Sequence, residues 1–325
     1  MKKFSVLIMV CFLSLLGCSQ TQKTTNKQTL QLHLSANPNV LNPILSTDGA
    51  SSSVSDLIFN GLFKIDEDLN LQPDLLESYD IASDNVTFTF HLKDNIKWHD
   101  GHPMTAEDVK FTIEKILDPK TNTVRRSKYI IDGDPIRITV IDPLTFKVKI
   151  KKPFAPFLIS MSMGILPKHI LENTDINTAA FNQAPIGTGP FVFKRWEPGQ
   201  YILLEKNPNY HLGAPKLNDV IFKIIPDSNT ALVALLKGEI DISGILPKDE
   251  KKVDEKPFLN LFKINDLSYS YIGLNLNNTF LQEPKVRQAI AHAINKDKLI
   301  SNVYKGYAQP AHIPASPVHW AYPTE

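Results

Sequence analysis

The sequence predicts a mixed α/β protein, and three observations lead to that fold class. Residues 30–34 and 87–93 alternate apolar and polar side chains with a period of two, as half-buried strands do. Segments with helical spacing stand between such strands, for example the run that begins at Thr105 and ends at Asp118-Pro119. With 325 residues, 42% of them hydrophobic, the chain can bury one large core or two smaller ones.

The predicted elements follow in order along the chain. Thr105 is placed to accept a hydrogen bond from the backbone of Asp108, and Glu107 and Asp108 lie at the positive end of the helix dipole. Strands are expected at residues 30–34 and 87–93, at two segments within 136–150 and at 240–242, with a turn at His99-Asp100-Gly101. Helices are expected from Ser51 or Ser52 to near Gly61, from Thr105 to Asp118, from Ser228 to Gly238, and from Glu283-Pro284 onward.

The N-terminal segment has the pattern of a bacterial lipoprotein signal. Lys2 and Lys3 precede an apolar run at residues 4–16 that is too short to span a bilayer, and Gly17-Cys18 closes the run. A small residue directly before a cysteine is typical of signals that are cut before that cysteine, which is then acylated. We therefore predict a signal peptide at residues 1–17 and a lipid such as palmitate on Cys18, at the extracytoplasmic face of the cell membrane. An ordinary secretory signal that happens to contain a cysteine is the alternative.

This interpretation also accounts for the cysteines and the charge. Cys11 leaves with the signal and Cys18 carries lipid, so no thiol remains for a disulfide, a CxxC site or a nucleophile. The formal net charge of +1 falls to near −1 when Lys2 and Lys3 are removed. The sequence has no basic stripe of the kind that nucleic acid requires. The polar residues 19–28 are expected to form a tether between the lipid and the folded chain.

Two short patterns resemble metal sites but have simpler explanations. Asp66, Asp68, Asn70 and Glu77 have calcium-loop spacing, yet Leu71 stands where that loop needs glycine, so a polar hairpin turn is predicted. His91, His99 and His102 lack further ligands at a zinc spacing, so a structural turn before a capped helix is predicted there. We expect no metal.

The sequence also lacks the motifs of common catalytic sites. Gly187-Thr188-Gly189 hints at a phosphate loop, but Pro190 removes a backbone donor, so a closely packed strand entry is predicted. There is no Gly-x-Ser-x-Gly elbow, no His-Glu-x-x-His motif and no spare cysteine. The sequence therefore predicts a protein that is not an enzyme and has no cofactor.

Four blocks of sequence resemble one family, the extracytoplasmic solute-binding proteins of ABC importers in the oligopeptide, dipeptide and nickel group (family 5). The blocks occur in the family's order and together span most of the chain after the signal. They are Gly61-Leu62-Phe63 through Glu77; Thr87 to Asp108, including Trp98-His99-Asp100-Gly101; Gly187-Thr188-Gly189-Pro190-Phe191, with Asn207-Pro208-Asn209-Tyr210 and Lys237-Gly238-Glu239; and Tyr271-Ile272-Gly273-Leu274-Asn275, with Val286 to Asn295.

The resemblance implies a two-lobed α/β fold of the periplasmic-binding-protein type (type II, large form), in which a hinge closes the lobes on a ligand. Lobe one would comprise residues 29–266, with sub-lobes at about 29–45 plus 165–266 and at 46–164. Lobe two would start within 267–325 and be incomplete, as in a fragment or a truncated gene product. On this basis residues 267–325 are expected to be protease-sensitive.

The resemblance also suggests ligand-binding residues. Asn37, Pro38 and Asn39 would lie at one wall of the cleft, and Tyr269, Tyr271 and Asn275 at its hinge side. An acidic residue occupies the Asn37 position in some peptide-binding relatives, and simple strand packing is the alternative explanation for the two tyrosines.

The function that the resemblance implies is capture of oligopeptides and their delivery to the permease and ATPase subunits of an importer, by a monomer anchored through Cys18. Within the same family, nickel chelates, haem or oligosaccharides are alternative ligands. Outside transport there are two alternatives. The protein is a sensor or interaction lipoprotein that uses one lobe, or it is a non-functional truncated product.

Overall fold

The computed structural model describes residues 28–264, 267–316 and 322. The predicted signal peptide, Cys18 and most of the polar tether lie outside this set. The chain divides into two compact units, the first of which ends at Pro226 while the second begins at Asp227. Among the described residues, no helix is long and apolar enough to cross a bilayer. The lobe boundary at residue 267 stays a prediction.

A four-stranded mixed sheet lies in the first unit and joins the start of the chain to its later part. Its order is β1-β12-β11-β10, with β1 parallel to β12 and the other pairs antiparallel. The strands are β1 (Thr29–Leu34), β10 (Phe191–Glu197), β11 (Tyr201–Lys206) and β12 (Asp219–Ile224). The predicted strand at residues 30–34 is therefore confirmed.

The second four-stranded sheet of this unit is antiparallel, in the order β4-β5-β9-β8. Its strands are β4 (Leu76–Ile81), β5 (Thr87–Leu92), β8 (Arg137–Asp142) and β9 (Thr145–Lys149), as the period-two patterns predict for three of them. The inward face is aromatic, because Phe90 of β5 packs on Phe146 of β9 with ring centroids 5.1 Å apart. Full burial of such a ring stabilises the fold by roughly 1.5–3 kcal/mol.

Two small hairpins complete the strands of the first unit, formed by β2 (Phe63–Ile65) with β3 (Leu71–Pro73) and by β6 (Ile130–Ile131) with β7 (Asp134–Pro135). The first hairpin confirms the turn predicted in place of a calcium loop. Its Asp66 carboxylate accepts hydrogen bonds from the backbone of Asp68 and Asn70 and from the side chain of Gln72.

The helices of the first unit are α1 (Gly49–Ile58), α2 (Ala106–Leu117), α3 (Phe157–Ser160) and α4 (Lys168–Leu171), with 3-10 turns at Arg126–Tyr129 and Ala180–Asn182. The start predicted for α2 is confirmed, since Thr105 is its N-cap. The Asp108 N–H donates to the Thr105 backbone carbonyl at 3.0 Å, and the Thr105 N–H donates to Asp108 Oδ2 at 2.8 Å. The prediction for α1 was wrong in one detail, because Asp48 caps it rather than Ser51 or Ser52. The Asp48 carboxylate accepts from both the N–H and the hydroxyl of Ser51, each at 2.7 Å.

Gly187 and Gly189 pass against the end of α1, as the close packing predicted for this segment requires. A Cβ on Gly187 would lie 1.9 Å from the carbonyl oxygen of Ile58, and one on Gly189 would lie 2.5 Å from its carbonyl carbon. The Gly189 N–H donates to that same oxygen at 2.8 Å. The glycine pair therefore fixes α1 against the entry to β10.

The second unit contains helices and irregular segments. Its helices are α5 (Ser228–Leu236), α6 (Glu250–Asp254), α7 (Thr279–Gln282), α8 (Pro284–Ala293) and α9 (Lys296–Asn302). The helices predicted at Ser228 and Glu283-Pro284 are confirmed. The strand predicted at residues 240–242 was wrong, because only an isolated bridge forms at Ile242. Residues 267–275 also form no strand, and no strand in the described part of this unit is available to pair with them.

Candidate functional site

The histidines near the Asp-Gly turn serve the fold. His99 Nδ1 accepts from the Gly187 N–H at 3.2 Å, and its Nε2 lies 3.0 Å from the Gly189 carbonyl oxygen. Gly101 has φ +89°, as a tight turn requires. Within the described ranges, no group of three or more His, Cys, Asp or Glu is arranged to hold a metal ion. The structural turn predicted here is confirmed.

Asn37, Pro38 and Asn39 follow β1 directly, and most of their polar groups are used within the first unit. Asn37 Oδ1 accepts from the Gly199 N–H at 2.9 Å and from Trp196 Nε1 at 3.3 Å, while Pro38 is buried. The Asn39 amide donates to Asp48 Oδ2 at 3.2 Å. These contacts join the segment to the β10–β11 turn and to the cap of α1. A role in ligand binding stays a prediction.

Tyr269, Tyr271 and Asn275 belong to the second unit. Tyr269 is 42% exposed and Tyr271 is 78% exposed, with their ring centroids 5.8 Å apart. The Asn275 side chain accepts from the Asn277 N–H at 3.0 Å and so stabilises its own turn. The strand packing considered for the tyrosines is not observed. Their contact with a ligand stays a prediction.

The first unit contains a polar cleft of about 270 Å³ that the sequence pattern did not indicate. Three stretches of chain form it: the end of the β1–α1 loop with α1, the 3-10 turn after α2, and the end of α3 with the segment that follows it. Hereafter this site is called the polar cleft. Its lining residues are Pro43, Ser46, Ser52, Ser55, Asp56, Arg125, Lys128, Tyr129, Ile159, Ser160, Ser162, Met163 and Gly164.

Two cationic side chains line the polar cleft. Arg125 donates from Nε to the Pro43 carbonyl at 2.8 Å and from Nη2 to the Ser46 carbonyl at 3.0 Å. A guanidinium carries five N–H groups, so these two bonds orient it and leave three for another partner. The Lys128 ammonium has no hydrogen bond or ion pair within the described part of the chain. Together they suit a carboxylate or a carbonyl group of a solute.

The negatively charged residue of the polar cleft, Asp56, lies on α1. Asp56 is an exposed residue with no direct hydrogen bond or ion pair among the residues described. Surrounding protein atoms nevertheless desolvate its carboxyl and raise the pKa of Asp56 above its usual range, while Arg125 lowers it by a smaller amount. Beside it, Ser55 is 4% exposed and its Oγ has no hydrogen-bond partner.

A buried tyrosine holds together the wall of the polar cleft that is formed by the 3-10 turn and α3. The Tyr129 hydroxyl donates to the Ser160 carbonyl at 2.6 Å and ties the 3-10 turn to α3. Burial raises the pKa of the Tyr129 phenol, so that it remains a neutral donor at physiological pH. The polar cleft therefore combines a hydrogen-bonded wall with an oriented guanidinium, Arg125, and with Lys128 and Asp56, whose side chains have no partner among the described residues. Such an arrangement suits binding of a polar solute and offers no activated nucleophile.

The sequence carries only a faint signal of this site. Arg125-Arg126 follows a predicted helix end, where arginines can also bind the free carbonyl groups of the helix. Arg126 is indeed used that way, since it donates to the carbonyls of Ile116, Asp118 and Thr121. Nothing in the pattern indicates that Asp56 and Arg125 line the same cleft, because distant segments of the chain form it.

Comparison with known proteins agrees with this fold. Residues 70–325 match the family described as bacterial extracellular solute-binding proteins, family 5 Middle. The chain is 38% identical over 294 residues to the oligopeptide-binding protein AppA of Bacillus subtilis, covering 89% of this chain and 54% of that protein. It is 33% identical to the glutathione-binding protein GsiB of Pectobacterium atrosepticum, covering 84% of this chain and 53% of GsiB.

Solved structures of solute-binding proteins also match this chain. AppA of Bacillus subtilis in complex with a nonapeptide matches with a TM-score of 0.86 and 34% identity, over 91% of this chain and 60% of AppA. NikZ of Campylobacter jejuni in complex with Ni(L-His) matches with a TM-score of 0.81 and 33% identity, over 89% of this chain and 57% of NikZ. The α/β fold is thus that of type II periplasmic binding proteins. The chain spans about half the length of the curated relatives it matches. The chain belongs to family 5 of the bacterial extracellular solute-binding proteins.

Proposed function

We propose that this protein is the substrate-binding component of an ABC importer that captures oligopeptides and delivers them to its permease. Its similarity to AppA, a protein named for oligopeptide binding, supports this ligand class. The observation that carries the proposal is the polar cleft, where the Lys128 ammonium and the N–H groups of Arg125 that do not bind Pro43 or Ser46 can donate to a solute.

The polar cleft would hold one end of the peptide. Ligand sites for small molecules usually enclose about 300–1,000 Å³. A volume of about 270 Å³ is just below that range and suits one or two residues of a longer ligand. Arg125 and Lys128 would donate to peptide carbonyls or to a carboxylate. Hinge closure over the remaining peptide and transfer to the permease complete the proposed mechanism.

Anchoring is part of the same proposal. A lipid on Cys18 would hold the protein on the extracytoplasmic face of the cell membrane, where it would act as a monomer beside the permease and ATPase subunits. The family's description as extracellular solute-binding proteins supports this location. Metabolic labelling with a palmitate analogue tests it, since label should appear on the full chain and be absent from Cys18→Ser.

A nickel chelate is a second candidate ligand, favoured by the similarity to NikZ in complex with Ni(L-His). Calorimetric titration of the full chain with trialanine and with Ni(L-His) distinguishes the two. The peptide proposal predicts saturable heat with trialanine, weakened in Lys128→Gln and unchanged in Lys120→Gln, an exposed lysine outside the cleft. Heat only with Ni(L-His) would replace the peptide with the chelate as the ligand.

A further inference from the structure

The outward face of the antiparallel sheet carries a group of cations that the proposed function does not use. In β9, Phe146 and Val148 are buried, so Lys147 and Lys149 project from the opposite face of the sheet, where both are exposed. Arg137 of β8 is also exposed and lies directly opposite Lys149 in the ladder, hence on the same face. Arg137, Lys147 and Lys149 are called the basic face below.

The basic face has little counter-charge in the protein. Within the described part of the chain, Arg137 and Lys147 make no hydrogen bond and no ion pair. Lys149 acts electrostatically on the exposed Asp84 carboxyl, but no direct ion pair joins these two described residues. Asp80 lies on β4, with β5 between it and β9. The ammonium and guanidinium groups are therefore free to bind an external anion.

The fold itself does not account for these charges. Like charges directly opposite each other in a ladder destabilise the sheet, and Arg137 with Lys149 is such a pair. Lysines often protect an edge strand from pairing with another chain. However, β9 lies between β5 and β8, so edge protection does not explain Lys147 and Lys149. An anionic partner would offset the repulsion among the three cations.

The residues around the basic face leave it open. Thr87 and Thr89 of β5 lie opposite Lys149 and Lys147, and Thr139 of β8 lies opposite Lys147 on its other side. None of these five residues is buried. Threonine side chains are short, so the lysine ammonium groups can extend beyond them. This open sheet surface suits contact with an extended anionic surface.

We propose that the basic face binds the anionic phospholipid headgroups of the membrane at which the protein acts. This inference rests on one part of the proposed function, the location at the extracytoplasmic face of the membrane, and does not involve peptide capture. A lipid on Cys18 would keep the first unit close to the bilayer. There, each Lys or Arg near an anionic lipid surface strengthens binding roughly fivefold.

Co-sedimentation with lipid vesicles tests the proposal. The mature chain, residues 18–325, is used with Cys18→Ser so that no attached lipid contributes. The vesicles contain phosphatidylglycerol and phosphatidylcholine in equal parts, with pure phosphatidylcholine as the reference. We expect preferential binding to the anionic vesicles, which weakens as salt is added. The double variant Lys147→Gln with Lys149→Gln should bind them at least about tenfold more weakly.

The next two lysines along the chain provide a matched control. Lys151→Gln with Lys152→Gln removes the same charge from a neighbouring position, but both lysines are already paired with Asp132. Their Nζ atoms lie 4.0 Å and 3.0 Å from its carboxylate oxygens. This variant should therefore bind the anionic vesicles nearly as tightly as the parent chain.

Three results would overturn the proposal. Equal weakening in both double variants would show that net charge governs binding, and not the basic face. Equal binding to both kinds of vesicle would exclude recognition of anionic headgroups. The third result is no binding to either kind by a chain whose fold is confirmed by circular dichroism. Peptide capture and the lipid on Cys18 are tested separately, by titration with trialanine and by palmitate labelling.

Discussion

His99 and Gly189 are joined by a hydrogen bond that connects the segment before α2 to the entry of β10. The imidazole Nε2 lies 3.0 Å from the Gly189 carbonyl oxygen, and Nδ1 accepts from the Gly187 N–H at 3.2 Å. Since an N–H donates to Nδ1, the ring proton must be on Nε2, and the imidazole is neutral. Protonation at Nδ1 would break the bond to Gly187.

This arrangement predicts loss of stability in mild acid. Burial lowers the pKa of His99 below its usual value of 6.5. As pH falls below 6.5, the unfolded chain therefore takes up a proton before the folded chain does. The stability that neutral His99 contributes is complete above pH 6.5 and is lost as pH falls toward the lowered pKa.

Urea denaturation from pH 5 to 8 measures this effect. His99→Gln should reduce the free energy of unfolding by about 1–3 kcal/mol at pH 7.5, because buried backbone groups lose their partners. Its loss of stability between pH 7 and 5 should be smaller than that of the wild type. His292→Gln, on an exposed surface of α8, serves as the control. Parallel pH profiles for wild type and His99→Gln would contradict the assignment of a neutral His99.

The packing of Gly187 against Ile58 predicts a severe steric effect. A methyl group on Gly187 would lie 1.9 Å from the Ile58 carbonyl oxygen, closer than atoms can approach, so α1 or the β10 entry must shift. We expect Gly187→Ala to lower the free energy of unfolding by about 3 kcal/mol or more. Gly49→Ala in the first turn of α1 meets no atom within 4 Å and should change stability by less than about 1 kcal/mol. Thermal unfolding of both variants provides the comparison, and equal effects would show that contact with Ile58 is not decisive.

The distribution of buried residues predicts where proteases cut. From residue 267 to 316 the only buried residue is Ser316, and Tyr271, Ile272 and Phe280 are each at least 66% exposed. In the first unit, by contrast, buried residues form a continuous core, and buried hydrophobic side chains continue in the second unit as far as Val253. Limited trypsin digestion followed by mass spectrometry should yield early cuts within 267–316 and a resistant fragment of about 28–265. Equal resistance of both regions would contradict this prediction.

The elements with a complete local signal could be predicted from sequence. The alternation at residues 87–93 indicates β5, and Thr105 with Asp108 indicates the start of α2, because both depend on residues close together in the chain. The strand predicted at 240–242 was wrong because strand formation needs a pairing partner, which a short apolar alternation does not specify. For α1, Ser51 and Ser52 are also common N-cap residues, so the sequence pattern did not identify Asp48 as the cap. Its carboxylate accepts two hydrogen bonds from Ser51.

The candidate site was largely invisible to the same reasoning. The family resemblance directed attention to Asn37 and Asn39, whose side chains support the β10–β11 turn and the cap of α1. The polar cleft forms instead because folding brings the segments that contain Asp56, Arg125 and Ser160 together. No spacing rule relates these positions, so their chemistry becomes apparent only in three dimensions.

The central claim is that the polar cleft binds part of a peptide solute, and NMR chemical-shift mapping tests it most directly. The isotope-labelled full chain would be titrated with trialanine while backbone amide signals are followed. The account predicts saturable shifts concentrated at residues 46–56, 125–129 and 159–164. Saturable shifts confined to other residues, or no shifts at any trialanine concentration, would contradict it.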